Sequence, residues 1–205
     1  MISASEALTQ LQAGNRRFAA GQPHNPHSSD AERRAASVAG QAPFAVILGC
    51  SDSRVPAELV FDQGIGDLFV IRVAGNIVAP SLIGSVEFAV GQFGTPLVVV
   101  MGHTGCGAVI ATLQALRQPE SVPSPNLNAI VTRIRPTLIT LHEMAPELDE
   151  EQLLGHAVRA NVRASVSQLR QGSRLLEDAV VEGRLRILGA EYNLATGEVD
   201  FFEDE

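Results

Sequence analysis

The chain reads as an α/β protein: a mostly parallel central sheet of four parallel strands plus a C-terminal antiparallel strand, flanked by helices, with an N-terminal helical arm. Three observations predict this. The compact apolar runs Phe44 to Leu48 (FAVIL) and Leu97 to Met101 (LVVVM) suit strands buried on both faces. Helical stretches separate such runs, the pattern of crossovers between parallel strands. Near the end, Thr196-Gly197 turns the chain back into one more short run.

In order along the chain, Ser5 to Ala19 reads as a helix with apolar Leu8, Leu11 and Phe18. Gly21 to Ser29 (GQPHNPHSS) is Pro- and Asn-rich and reads as a loop. Asp30 to Val38 is a second short helix, and Phe44 to Leu48 the first strand. Val55 to Phe61 is helical, with Pro56 near the first turn, where its missing N–H is tolerated. Leu68 to Val73 is a strand; Ser81 to Phe93 is a helix with Leu82, Val86, Ala89, Val90 and Phe93 on one face. Leu97 to Met101 is the third strand and Cys106 to Leu116 the next helix. A loop over Gln118 to Pro125 leads to long helices at Pro125 to Met144 and Asp149 to Arg170. Ser173 to Glu182 is a short helix, Leu185 to Leu188 a strand and Glu198 to Phe202 the final, antiparallel strand. The 205 residues form a single domain, with residues 1–39 as the arm and 40–205 as the α/β core.

Composition removes several function classes. A net charge of −8 argues against a nucleic-acid partner, because phosphate binding wants a basic face. No apolar stretch approaches the ~20 residues of a membrane span, and Met1-Ile2-Ser3-Ala4-Ser5-Glu6 has no secretory pattern, so the expected compartment is the cytoplasm. Every basic residue is Arg, which excludes a P-loop lysine, a Schiff base and a Ser-Lys dyad.

Two segments carry the chemistry. Gly49-Cys50-Ser51-Asp52-Ser53-Arg54 follows the first strand, and Gly102-His103-Thr104-Gly105-Cys106-Gly107-Ala108 follows the third. In parallel sheets, ligands bind outside the carboxyl ends of strands, which is where both segments fall. Cys50, His103 and Cys106 offer two thiolates and one imidazole, a set suited to Zn²⁺. Three protein ligands leave a fourth position open, the mark of catalytic rather than structural zinc. Beside the first ligand, Arg54 is placed to keep Asp52 ionised, since a nearby cation lowers a carboxylate pKa. Without Arg54, Asp52 is free to become the fourth ligand and close the site.

Plainer readings exist. Each cysteine alone suits a small buried hydrophobe, and Asp52–Arg54 alone suits a surface ion pair. The glycines at 102, 105 and 107 also resemble a nucleotide-binding loop, which makes a nucleotide-binding α/β module the alternative from another class. Their spacing departs from G-x-G-x-x-G, and no acidic ribose partner follows. His24 and His27 read as solvated loop residues; His142 and His156 lie on helices outside the motifs. Glu147 to Glu151 reads as an acidic helix start, and Glu203-Asp204-Glu205 as a solvated end.

C-x-D-x-R followed by H-x-x-C-G resembles the β-class carbonic anhydrase family. The likeness extends to Asn15-Arg16-Arg17-Phe18 with Gly21, to Gly66–Arg72 with Gly75-Asn76, and to Gly189-Ala190-Glu191-Tyr192 with Thr196-Gly197. It implies one zinc per chain on Cys50, His103 and Cys106, with the Asp52–Arg54 dyad as catalytic residues. It also implies a small substrate pocket near Gln41, Phe69, Phe88 and Gly107, and a homodimer or homotetramer with active sites at the dimer interface, clasped by the N-terminal helix. Phe88 stands where some members carry Tyr. Ile47 stands where members with a regulatory bicarbonate pocket carry Trp. The implied reaction is reversible hydration of CO₂ to bicarbonate and a proton, by attack of zinc-bound hydroxide oriented by the dyad. A CS₂ or COS hydrolase on the same scaffold is the nearer alternative.

Overall fold

The structure, a computed structural model, describes residues 2–24, 31–118, 120, 122–144 and 147–202. The predicted loop at Gly21 to Ser29 lies outside the described residues from position 25 onward, as do His27, positions 119 and 121 of the second loop, and the acidic tail.

Five strands form one sheet: β1 (Ala45–Gly49), β2 (Leu68–Arg72), β3 (Leu97–His103), β4 (Arg186–Tyr192) and β5 (Val199–Phe202). Their order is β2-β1-β3-β4-β5. The first four are mutually parallel, and β5 runs antiparallel to β4. This matches the predicted architecture. Eight helices accompany them among the described residues: α1 (Ala4–Ala19), α2 (Ala31–Ser37), α3 (Ala57–Val60), α4 (Pro80–Phe93), α5 (Gly107–Arg117), α6 (Pro125–Met144), α7 (Glu150–Gly172) and α8 (Arg174–Val181). None of them is long and apolar enough to cross a membrane.

β1 and β3 are buried along their whole length, which explains their unbroken apolar sequence. Their residues alternate between two cores with the strand period of two. Val46, Leu48, Val98 and Val100 face α4, α7 and α8, where they meet Val86, Val90, Val162, Leu169 and Leu176. Ile47, Leu97, Val99 and Met101 face α1 and α3, where they meet Ala7, Leu11, Val60 and Phe61. A third core lies past the carboxyl ends of the strands and joins Cys50, Cys106, Val109, Ile134, Leu138 and Val158. Gly102 lets α7 approach β3: a Cβ there would stand 2.6 Å from the Val162 side chain.

α1 covers one face of its own chain's sheet. It starts on a capping box in which Ser3 and Glu6 satisfy each other's backbone N–H. Its buried residues are Ala7, Leu11, Gly14 and Asn15; the predicted Leu8 and Phe18 are only partly buried. The helix is pinned by Asn15, whose amide donates to the Val60 and Gly197 carbonyls at 3.1 and 2.9 Å and accepts from the Val199 N–H at 2.8 Å. Asn15→Ala strands three backbone groups in a buried site, so we expect a loss of about 2–4 kcal/mol, read as a lower denaturant midpoint with an unchanged slope. A change near zero would mean that α1 is not held this way.

Candidate metal centre

β1 and β3 are adjacent and parallel, so the segments that follow them emerge side by side. Cys50 is the first residue past β1, and His103 the last of β3. Cys106 is the N-cap of α5, held with extended backbone angles rather than helical ones. The two sulfurs are 4.0 Å apart, and the three side chains offer ligand atoms all within 4.8 Å of one another. All three residues are buried, with His103 at 0 % exposure.

The donor set fits zinc. Tetrahedral zinc with bonds of about 2.3 Å to sulfur separates two thiolates by roughly 3.8 Å, close to the gap seen here. His103 Nδ1 lies 3.0 Å from the Thr104 carbonyl. A carbonyl only accepts, so Nδ1 carries the proton and Nε2 presents its lone pair. That Nε2 is buried and has no hydrogen-bond partner. A buried orphan acceptor is costly unless something binds it, and it faces the two sulfurs.

The contact with Cys106 lowers the Cys50 pKa, burial opposes it, and His103 and the Gly75 N–H add to the lowering. The same contact, with burial, raises that of Cys106. For His103, burial acts against the charged form, but the Cys50 sulfur, the Thr104 carbonyl and Asp52 together pull the pKa up. The site therefore attracts positive charge, as a cation-binding site should.

Asp52 and Arg54 form a two-pronged pair: Arg54 Nε donates to Oδ1 at 2.9 Å and a terminal nitrogen to Oδ2 at 2.7 Å. The Arg54 backbone N–H also reaches Oδ1, at 3.0 Å. The Arg54 hydrogen bond, above all, holds the Asp52 carboxyl well below the usual carboxylate range. Asp52 Oδ2 stands 3.8 Å from His103 Nε2, so the carboxylate borders the space the ligand atoms enclose.

Two contacts here were not foreseen. The Gly75 N–H donates to Cys50 Sγ at 3.4 Å. Gly75 has φ +71, and a Cβ there would stand 2.8 Å from Ile134 and 2.9 Å from Ala108, so no other residue fits. Arg72, at the end of β2, donates to the carbonyls of Cys50 and Asp52. Arg72 ends the family-like stretch Gly66–Arg72 and Gly75 opens Gly75-Asn76, but their contact with the site depends on strand register.

The predicted substrate residues are divided. Gly107 adjoins Cys106 and is exposed. Gln41 is exposed and precedes β1, whereas Cys50 follows it, so they lie off opposite ends of a strand roughly 16 Å long. Phe69 pairs with Val46 near the start of β1, and Phe88 packs on Phe69 with ring centroids 6.3 Å apart. A single chain thus leaves Gln41, Phe69 and Phe88 at the far end of the strands from the ligands. His24 and His156 are exposed and distant from the motif in sequence.

The carbonic anhydrase family model matches residues 45–199, which contain every ligand candidate and the dyad. The chain belongs to the β-class carbonic anhydrase family. It is 43% identical over 194 residues to the carbonic anhydrase of Mycolicibacterium smegmatis, covering 95% of this chain and 91% of that one. It is 39% identical over 192 residues to carbonic anhydrase 2 of Mycobacterium tuberculosis, covering 93% and 89%. Among solved structures it resembles the β-carbonic anhydrase CcaA, with a TM-score of 0.78 at 26% identity over 98% of this chain and 93% of that one. The tetrameric β-carbonic anhydrases of Sordaria macrospora share the fold, with a TM-score of 0.74 at 24% identity over 96% and 97% of the chains. The protein is therefore an enzyme of the carbonic anhydrase class, and the nucleotide-module alternative falls. Of the glycines that raised that alternative, Gly105 takes φ +66 in the turn between the two ligand candidates, and Gly102 lets α7 approach β3.

Proposed function

We propose that the enzyme catalyses the reversible hydration of carbon dioxide to bicarbonate and a proton, with one Zn²⁺ per chain held by Cys50, His103 and Cys106. The observation that carries this reading is the convergence of two buried sulfurs and one orphaned ring nitrogen beside an ionised carboxylate. Zinc supplies a Lewis acid that lowers the pKa of water in the remaining position.

Asp52 has only acceptor oxygens and is ionised, so it favours a proton-bearing group in that position and disfavours one without a proton. Arg54 occupies both carboxylate oxygens and keeps them from turning onto the metal. Gly107 offers an exposed backbone near Cys106, where a small substrate would approach. Gln41, Phe69 and Phe88 would reach the site only from a second copy of the chain. This fits a homodimer, or a homotetramer built from it, whose active sites lie between subunits.

Activity should rise toward alkaline pH. Two thiolates bring two negative charges to the metal position, where three imidazoles bring none, so water activated there gives up its proton at higher pH. Asp52 adds nothing to this rise. Its pKa lies below the ordinary range, so it is already ionised and loses its role only at strongly acid pH. Stopped-flow CO₂ hydration from mildly acid to alkaline pH tests the reading, and a flat profile contradicts the two-thiolate assignment. Sulfide release from CS₂ or COS outpacing CO₂ hydration would reassign the substrate but leave the site intact.

A further inference from the structure

Arg72 lies outside the ligands and the dyad, yet it grips the turn that carries both. It is the last residue of β2 and pairs in register with Gly49, the residue before Cys50. Its Nε donates to the Cys50 carbonyl at 3.0 Å, and a terminal nitrogen donates to the Asp52 carbonyl at 2.5 Å. The strand ladder ends with the Val73 N–H on the Gly49 carbonyl at 3.1 Å. Beyond that rung the Cys50–Asp52 turn has no strand partner, and the guanidinium takes over.

We propose that Arg72 is a positioning residue that braces the Cys50–Asp52 turn through these two carbonyls and so keeps the Asp52 carboxylate on Arg54 and off the metal. The proposal rests on the zinc reading above and adds a control on the open position. Asp52 Oδ2 is 3.8 Å from the orphaned His103 nitrogen, so a small rotation of the turn would bring the carboxylate onto a metal there. Arg54 holds the carboxylate itself. Arg72, exposed like Arg54, holds the backbone that carries it, beside the Val55 N–H, which donates to the Asp52 carbonyl at 3.1 Å. A planar guanidinium spans two carbonyls at once, which a single ammonium does less well.

The test uses the full chain loaded with cobalt(II) in place of zinc, with azide as the probe of the open position and visible absorption as the readout. Arg72→Met should keep its metal but bind azide about tenfold more weakly or worse, as expected for losing hydrogen bonds from a charged donor. Arg72→Lys, which keeps one charged donor, should fall between it and the native chain. Arg72→Met combined with Asp52→Asn should bind azide as tightly as Asp52→Asn alone, because the neutral amide competes poorly for the metal whether or not the turn is braced. Native azide affinity in both Arg72 variants overturns the proposal. So does a double variant that binds azide more weakly than Asp52→Asn alone, since the loss would then not run through Asp52. If Arg72→Met fails to fold, Arg72→Lys with and without Asp52→Asn decides in the same way. A native chain that binds no metal sinks this proposal together with the zinc reading; a loaded chain indifferent to Arg72 sinks only this one.

Discussion

Replacing any one of Cys50, His103 or Cys106 is expected to remove the metal and reduce CO₂ hydration by more than about a thousandfold, since enzymes whose chemistry rests on such an ion gain at least ~10⁶ over solution. Cys50→Ser is the most informative change because it alters one atom. A hydroxyl is nearly isosteric with the thiol but is a far poorer zinc ligand at neutral pH. Cys50 and Cys106 are 5% and 1% exposed, so the fold should register little beyond the lost ion. Metal content and stopped-flow rate, measured on the same preparation, check this. A Cys50→Ser chain with stoichiometric zinc and native rate would remove Cys50 from the ligand set.

Arg54→Ala separates metal binding from catalysis. Arg54 contributes no ligand, so zinc should stay at one per chain. Its guanidinium makes two of the three hydrogen bonds that hold the Asp52 carboxylate. Once released, the carboxylate lies next to the His103 nitrogen and can occupy the open position. We expect kcat/KM to fall by about a hundredfold or more, the scale of losing one preorganised polar group at a reacting centre. Asp52→Asn should fall by a similar factor. The double variant should be little worse than either, because residues that act as a unit are not additive. Native activity in Arg54→Ala would reduce the pair to a surface ion bridge.

Much of the fold was legible because its central strands are buried on both faces. FAVIL and LVVVM announce themselves by composition alone, and the observed strands differ from the reading by a few terminal residues. β4 was harder. The sequence pattern predicts its end at Leu188, but it continues through Gly189-Ala190-Glu191-Tyr192, a stretch with little strand propensity of its own. That stretch is a strand because β3 pairs with it on one side and β5 on the other. Asn15 enters the sequence reading only as part of the family-like stretch Asn15-Arg16-Arg17-Phe18, with no structural role assigned. It is buried because its amide matches three backbone groups brought together only by the tertiary fold.

Within the site, the metal-ligand candidates were legible because their spacing is local: a residue just past one strand and an H-x-x-C turn just past its neighbour. Arg72 and Gly75 were not, because their effect depends on β2 lying in register beside β1. Gln41, Phe69 and Phe88 mark a different boundary. Their types suit a small apolar pocket with one polar anchor, but sequence offsets do not say which end of a strand, or which copy of the chain, a residue will serve.

The most direct test of the central claim is zinc counted per chain while CO₂ hydration is followed through chelation and stepwise return of the metal. The rate should fall to background with zinc removal and climb in proportion to occupancy, saturating at one ion per chain. A metal-free chain that hydrates CO₂ at the full rate would contradict it.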